Sequence, residues 1–123
     1  MIALEQPEKV LADLCVGACA RITDAERDEL SRRILSADRI FVLGIGRSGL
    51  IAQLFAVRLV QMGLRVYFIG DMTTPLIAPD DLVILVSNSG DTMSVVKTAE
   101  IAHNIGTPTV CITGTPGSDL TAF

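Results

Sequence analysis

Two short loops rich in glycine and hydroxyl side chains carry the chemistry that this sequence can support. They are Gly44-Ile45-Gly46-Arg47-Ser48-Gly49 and Ser87-Asn88-Ser89-Gly90-Asp91-Thr92. Each loop follows an apolar run and opens a predicted helix, so its backbone N–H groups lack intrahelical partners and attract anions. Glycine lets the backbone approach a ligand, and the hydroxyl groups add hydrogen-bond donors. The loops therefore predict a site for a phosphorylated small molecule.

Composition limits the fold and the partners. The 123 residues are 50% hydrophobic but only 4% aromatic, which indicates one domain with an aliphatic core, as buried parallel sheets have. A net charge of −4 argues against general nucleic-acid binding, because a phosphate backbone requires basic patches. The mean hydropathy of +0.50 predicts apolar surface that closes against another copy, in a homodimer or homotetramer.

The first residues of the chain bear on its cellular location, and its three cysteines bear on metal binding and redox chemistry. The first ten residues have neither a basic start nor an apolar stretch of signal-peptide length, which predicts a cytoplasmic protein with no membrane partner. Cys15, Cys19 and Cys111 lack the spacing of a metal site, and we interpret all three as small buried hydrophobic residues.

Helices and strands are expected to alternate along most of the chain. The predicted order is helices over about 5–20 and 24–35, strand 39–44, helix 48–62, strands 66–70 and 82–86, helix 91–104 and strand 109–113. Asp24 is expected to cap the second helix, and Gly63 and Gly106 are expected to end the third and fourth. Residues 114–117 form a predicted turn.

This alternation predicts an α/β fold with a doubly wound parallel sheet between two helical layers. We expect a single domain over residues 1–123, with N-terminal helices in 1–36 and the sheet core in 37–123. In such sheets ligands bind at the carboxyl ends of the strands where the winding direction reverses. If the first strand lies between the second and third, both loops flank that reversal.

At the loop residues, the chain resembles the SIS (sugar isomerase) family of phosphosugar-binding domains, and within it the 6-phospho-3-hexuloisomerases. The matching stretches are Gly44 to Gly49, Phe55 to Leu59, Thr73-Thr74-Pro75, Asp81-Leu82, Ser87 to Thr92, and Thr113 with Pro116 and Ser118. The resemblance implies a flavodoxin-like SIS fold. It also implies that Ser87, Asn88, Ser89 and Thr92 bind the sugar phosphate, and that Gly46, Arg47 and Ser48 line the same cleft.

The activity implied by the resemblance is isomerisation of a hexulose 6-phosphate, between 3-hexulose 6-phosphate and fructose 6-phosphate, through an enediol and without metal or organic cofactor. Gln61 stands where the family pattern carries a histidine, and an amide cannot act as a base near neutral pH. The family also extends into a fifth strand and a closing helix expected to supply a glutamate, so we expect a chain truncated after its fourth strand. The catalytic base is not identified. The alternative is a non-catalytic sugar-phosphate-binding or regulatory module.

Several other residues have more than one interpretation. The spacing Gly44-x-Gly46-x-x-Gly49 also fits a dinucleotide-binding fingerprint, with Asp71 placed to bind a ribose hydroxyl. His103 lies eleven residues beyond Thr92, about 16 Å along a helix, so it could serve catalysis only across a subunit boundary.

The remaining candidates are interpreted structurally or left open. Asp80 and Asp81 precede the third strand and are expected at a turn and solvated edge. Thr73 and Thr74 either close over the sugar or order a turn before Pro75. The methionines Met62, Met72 and Met93 are interpreted as core or lid packing.

Overall fold

The computed structural model describes residues 7–123, without the side chains of Pro7, Val10 and Leu11. The chain divides into two compact units, one ending at Arg32 and the other comprising Arg33–Phe123. Over the described residues, no helix has both the length and the apolar character needed to cross a bilayer.

The first unit consists of α1, Pro7–Cys19, and most of α2, Asp24–Ser36. The predicted start of α1 at Glu5 lies outside the described residues. The cap of α2 is Thr23, not Asp24 as predicted: Thr23 Oγ1 accepts a bond from the Glu26 amide (3.1 Å), and the Thr23 amide donates to Glu26 Oε2 (2.8 Å). This reciprocal pair of bonds gives two backbone amides an acceptor, whereas a single capping side chain serves only one. The bond that the Thr23 amide donates to the Glu26 carboxylate lowers the pKa of Glu26.

Two of the three cysteines contradict the expectation of burial. Cys15 and Cys19 are exposed free thiols on α1, a helix that has no sheet within its own unit to pack against. Cys111 is half-buried, and its burial raises the pKa of the thiol.

The second unit contains one parallel sheet of four strands. In chain order it comprises β1 Ile40–Gly44, α3 Gly46–Gln61, β2 Val66–Phe68, β3 Leu82–Val86, α4 Met93–Ile105, β4 Thr109–Ile112 and a 3-10 helix, Asp119–Ala122. The spatial order of the strands is β2-β1-β3-β4, and all neighbouring pairs are parallel. The predicted doubly wound α/β sheet is therefore confirmed, with β1 between β2 and β3.

The central strands are buried on both faces. Phe41, Leu43, Val83 and Leu85 share a core cluster with the inner side of α4 and with Leu120 of the 3-10 helix. The intervening residues of β1 and β3 point to the opposite face, and α3 contacts the sheet through its buried positions Gly49, Ala52, Ala56 and Leu59. As predicted, Gly63 and Gly106 follow α3 and α4 with positive φ angles of 89° and 86°.

The amino-terminal end of the sheet is held by an ion pair between buried Asp81 and half-buried Arg39. Arg39 Nε and Nη2 donate to the two Asp81 carboxylate oxygens at 2.9 and 2.7 Å, and the Ala78 amide donates to Asp81 Oδ2 at 2.7 Å. Burial alone would raise the pKa of Asp81, but these bonds hold it below its ordinary value. The expected solvated edge is therefore wrong for Asp81, which is 2% exposed, although Asp80 is exposed.

Candidate functional site

The two loops singled out in the sequence begin on neighbouring strands. Gly44, the last residue of β1, is paired in register with Val86, the last residue of β3. Adjacent strands lie about 4.8 Å apart, so the glycine loop (Gly44–Gly49) and the serine loop (Ser87–Thr92) leave the sheet side by side. This is the carboxyl edge at the reversal of winding, where open α/β sheets bind ligands.

The serine loop is organised around one buried hydroxyl. Ser87 is 3% exposed, its Oγ accepts a bond from the Gly90 amide at 3.1 Å, and it lies 3.3 Å from Thr92 Oγ1. Ser89 and Asn88 are exposed, and Ser89 Oγ accepts a bond from the Asp91 amide at 3.2 Å. The loop therefore presents hydroxyl groups from three side chains within six residues.

The amino terminus of α4 lies directly behind these hydroxyls. Thr92 is its N-cap residue but makes no side-chain cap, because its hydroxyl faces Ser87 instead. Over the residues that the structure describes, the amides of Met93 and Ser94 in the first turn have no hydrogen-bond acceptor. These free N–H groups and the positive end of the helix dipole favour an anion here.

The glycine loop brings a second helix terminus to the same edge. Gly46 begins α3 with a φ of 60°, and Gly44 and Gly49 are in such close contact that a Cβ on Gly49 would lie 2.5 Å from the Gly44 carbonyl oxygen. Arg47 is exposed, and no ion-pair partner for it exists among the described side chains; Ser48 is half-buried. The loop thus adds a cationic side chain to the edge where the serine loop lies.

All of the predicted binding residues consequently lie on two adjacent loops at one edge of the sheet. They are Gly46, Arg47, Ser48, Ser87, Asn88, Ser89 and Thr92. Their ligand contacts remain a prediction, but their common location is a feature of the fold.

The two residues considered for acid–base chemistry lie elsewhere in the subunit. Gln61 is the last residue of α3, about 22 Å from Gly46 at 1.5 Å per residue, and its Oε1 accepts a bond from Arg58 Nη1 at 3.1 Å. His103 is in the last turn of α4, with its ring centroid 5.9 Å from that of Phe123. Neither side chain can reach the serine loop of its own subunit.

The remaining predictions had mixed outcomes. Thr74 orders a turn, since its hydroxyl donates to the Phe68 carbonyl at 3.3 Å and its amide donates to the Asp71 carbonyl at 3.1 Å. Core packing is wrong for the three methionines, because the loop and helix-end positions that they occupy face solvent: Met62, Met72 and Met93 are all exposed.

The sequence did not predict that the segment after β4 contacts the serine loop. Thr113, Gly114 and Thr115 contact the serine loop, although Thr113 was predicted as the end of the fourth strand and residues 114–117 only as a turn. The available signal was its position: it follows β4, the strand that neighbours β3.

Comparisons with known proteins agree with this geometry. The family model described as SIS domain matches residues 33–123. A 3-hexulose-6-phosphate isomerase of Methanocaldococcus jannaschii is 47% identical over 85 residues, which are 69% of this chain and 47% of that protein. A protein of the same name from Bacillus subtilis is 41% identical over 104 residues, or 85% of this chain and 56% of the relative. The chain thus spans about half the length of these curated relatives.

A solved structure gives a similar result for the fold. The Vibrio vulnificus NanR protein, in complex with ManNAc-6P, superposes with a TM-score of 0.82 at 25% identity. The match covers 90% of this chain and 44% of that one.

Proposed function

This chain belongs to the SIS domain family, and from that premise we propose that it binds a sugar phosphate and isomerises a hexulose 6-phosphate. The reaction is the interconversion of 3-hexulose 6-phosphate and fructose 6-phosphate. Two relatives that are 41% and 47% identical over most of this chain carry the name of that isomerase. The proposal needs neither a metal nor an organic cofactor.

The observation that carries the proposal is the orientation of Thr92. A threonine at a helix N-cap ordinarily satisfies its own helix, but here its hydroxyl lies 3.3 Å from Ser87 Oγ, and the amides of Met93 and Ser94 have no acceptor among the described residues. Hydroxyl groups and free amides then converge on one point beside the positive end of a helix. A phosphate monoester, with three acceptor oxygens and about −1.5 to −2 charge, matches that set of donors.

The glycine loop would hold the rest of the ligand. Arg47 and Ser48 lie on the adjacent strand's loop, so a phosphate at the serine loop directs the sugar carbons toward them. The guanidinium group of Arg47 favours an anionic ligand and can donate to sugar oxygens. The backbone at Gly46 leaves room for close approach.

The chemistry of the proposed reaction is a proton transfer between adjacent carbons. A base removes the proton at C3 of fructose 6-phosphate, an enediol forms across C2 and C3, and protonation at C2 gives the 3-ketose. Hydrogen-bond donors at the site stabilise the developing oxyanion. The base is not identified, so the experiment must follow the proton itself.

The test is NMR of fructose 6-phosphate incubated with the protein in D2O. We expect deuterium to replace the C3 proton and a 3-hexulose resonance to appear in a sample made with [2-13C]-labelled substrate. Calorimetric binding without any exchange at C3 would refute the isomerase proposal and leave sugar-phosphate binding. Stabilisation by NAD and not by sugar phosphates would refute both, in favour of the dinucleotide alternative.

Gln61 supports a second candidate, a sugar-phosphate-binding module without turnover. An amide occupies the position where the family pattern has histidine, and it is bonded to Arg58 at an exposed helix end. The similar NanR structure holds ManNAc-6P. For this candidate, binding is retained and the C3 proton is stable.

We also propose a homodimer or homotetramer. Leu50, Leu54 and Val57 form a stripe on the outer side of α3, and each is more than half exposed. Such a stripe on a helix already buried on its other side is typical of a subunit interface. Light scattering that gives a monomer mass at micromolar concentration would refute this proposal.

A further inference from the structure

The segment after β4 makes three hydrogen bonds to one carbonyl of the serine loop, that of Asn88. The Asn88 carbonyl oxygen accepts bonds from Thr115 Oγ1 at 3.0 Å and from the Gly114 amide at 3.2 Å, with Thr113 Oγ1 at 3.4 Å. Gly114 packs closely here, since a Cβ at this position would lie 2.4 Å from Asn88 Oδ1 and would displace that side chain. Three donors therefore hold one carbonyl of the serine loop.

The same segment holds the serine loop at two further points. The Leu120 amide donates to the Gly90 carbonyl at 3.0 Å, and the Asp119 amide donates to Asp91 Oδ1 at 3.3 Å. Leu120 is fully buried in the core, so the backbone that donates these bonds is held in place by packing. Ser118 packs so closely on Gly90 that any side chain at Gly90 would overlap it.

Fixing the Asn88 carbonyl also fixes the direction of the next amide. All described peptide bonds are trans, and in a trans peptide the C=O and N–H groups point in opposite directions. The Asn88 carbonyl points toward the segment after β4, so the Ser89 N–H points away from it. This N–H has no acceptor among the described residues. Since β4 and β1 flank β3 on opposite sides, the glycine loop after β1 is the neighbour of the serine loop on the side away from this segment.

We propose that Thr113, Gly114 and Thr115 position the serine loop for anion binding, with the Thr115 hydroxyl turning the Ser89 amide toward the phosphate. The proposal rests on the proposed sugar-phosphate site. Thr115 is a positioning residue: it touches the Asn88 carbonyl and acts on the ligand only through the Ser89 peptide. Without its bond, the Asn88 carbonyl keeps only the donors of Gly114 and Thr113, so the peptide is held less firmly and the Ser89 amide points at the ligand for less of the time.

The test compares Thr115→Val with Thr115→Ser. Valine keeps the shape of threonine and removes the donor, whereas serine keeps the donor. By titration calorimetry with fructose 6-phosphate, we expect Thr115→Val to raise Kd roughly two- to tenfold, the size of one ordinary hydrogen bond. Thr115→Ser should bind within twofold of the native protein. Equal losses in both variants, or none in Thr115→Val, would overturn the proposal.

A structural control separates positioning from general stability. Thr107→Val removes a bond of the same kind, from Thr107 Oγ1 to the Ala78 carbonyl at 2.9 Å, at the opposite end of the sheet. We expect it to lower stability in urea and leave Kd unchanged. If its Kd rises as much as that of Thr115→Val, the effect is one of stability and the proposal fails.

A measurement without ligand distinguishes this proposal from the proposed function. Amide hydrogen exchange by NMR should be roughly two- to tenfold faster at Gly114 and Gly90 in Thr115→Val than in Thr115→Ser. If exchange changes in this way but the native protein binds no sugar phosphate, the proposed function is wrong and the organisation of the loop stands. If exchange is unchanged, the positioning role is wrong whatever the native protein binds.

Discussion

Replacing Ser87 with alanine removes one buried hydroxyl group from two interactions at once. Ser87 Oγ accepts the Gly90 amide at 3.1 Å and contacts Thr92 Oγ1 at 3.3 Å, in a residue that is almost fully buried. The variant leaves the Gly90 N–H buried without its acceptor. An unsatisfied buried donor costs about 1–3 kcal/mol, so we expect the free energy of unfolding to fall by about that amount.

The same substitution should also weaken ligand binding. In the proposed site the hydroxyl donates to a charged phosphate, and hydrogen bonds to charged groups contribute about 1.5–3 kcal/mol. At 1.4 kcal/mol for each tenfold change, Kd for fructose 6-phosphate should rise about 10- to 150-fold. Ser89→Ala provides the comparison: Ser89 is exposed and its hydroxyl accepts only the Asp91 amide, so we expect a similar loss of affinity with a stability change within about 0.5 kcal/mol.

Urea unfolding and titration calorimetry on the same preparations separate the two effects. Ser36→Ala serves as the control, because its exposed hydroxyl bonds only to the Arg33 carbonyl in α2, and neither quantity should change. Folded Ser87→Ala that binds fructose 6-phosphate within twofold of the native protein would refute the assignment of this hydroxyl to the phosphate.

Three further outcomes are expected. Gly49→Ala should lower the free energy of unfolding, measured in urea, by more than about 2 kcal/mol. The new Cβ would lie 2.5 Å from the Gly44 carbonyl oxygen, so the backbone must move. A change of less than about 0.5 kcal/mol would contradict this contact. Asp81→Asn should cost about 1.5–3 kcal/mol at pH 7, because Arg39 loses its charged acceptor and keeps only the bond to the Leu76 carbonyl. The native pair contributes stability above about pH 4, and this contribution disappears as the pH falls through the lowered pKa of Asp81. The difference in unfolding free energy between the native protein and the variant should therefore shrink in urea titrations at low pH. A difference that does not change with pH would contradict this. Gln61→His should leave Kd for fructose 6-phosphate within twofold by equilibrium dialysis, because α3 separates position 61 from the loops by about 22 Å. For the same reason it should leave the rate of C3 exchange at pH 7 unchanged. A large change in Kd would place position 61 in the ligand site, and a faster exchange would show that position 61 of a neighbouring subunit reaches the substrate.

The fold was predictable because each element carries a local signal. β3 was predicted at its observed bounds, Leu82–Val86, since an unbroken apolar run between an acidic pair and a serine has few alternatives. Gly63 and Gly106 ended their helices as predicted, because positive φ angles favour glycine. The cap of α2 was missed because Thr23 and Asp24 are both good N-cap residues, and only the reciprocal bond to Glu26 distinguishes them.

The location of the site was predictable from the sequence, but the long-range contacts that hold the sheet and its loops in place were not. The two loops were recognised from residue types that bind anions, and the topology placed them on neighbouring strands. Burial of Asp81 was missed because its partner Arg39 lies 42 residues away in sequence, and local charge patterns carry no information on that pairing. Thr115 was missed for the same reason, since its acceptor is a backbone carbonyl on another strand's loop.

The hydroxyl group of Ser118 is buried against Gly90, and within the part of the chain that the structure describes it has no hydrogen-bond partner. Removing a desolvated, unpaired polar atom from tight packing removes its desolvation cost and can raise the free energy of unfolding. Alanine at position 118 should therefore make this domain more resistant to heat. The hydrogen bonds from the Asp119 and Leu120 amides to the serine loop do not involve the Ser118 side chain and stay in place.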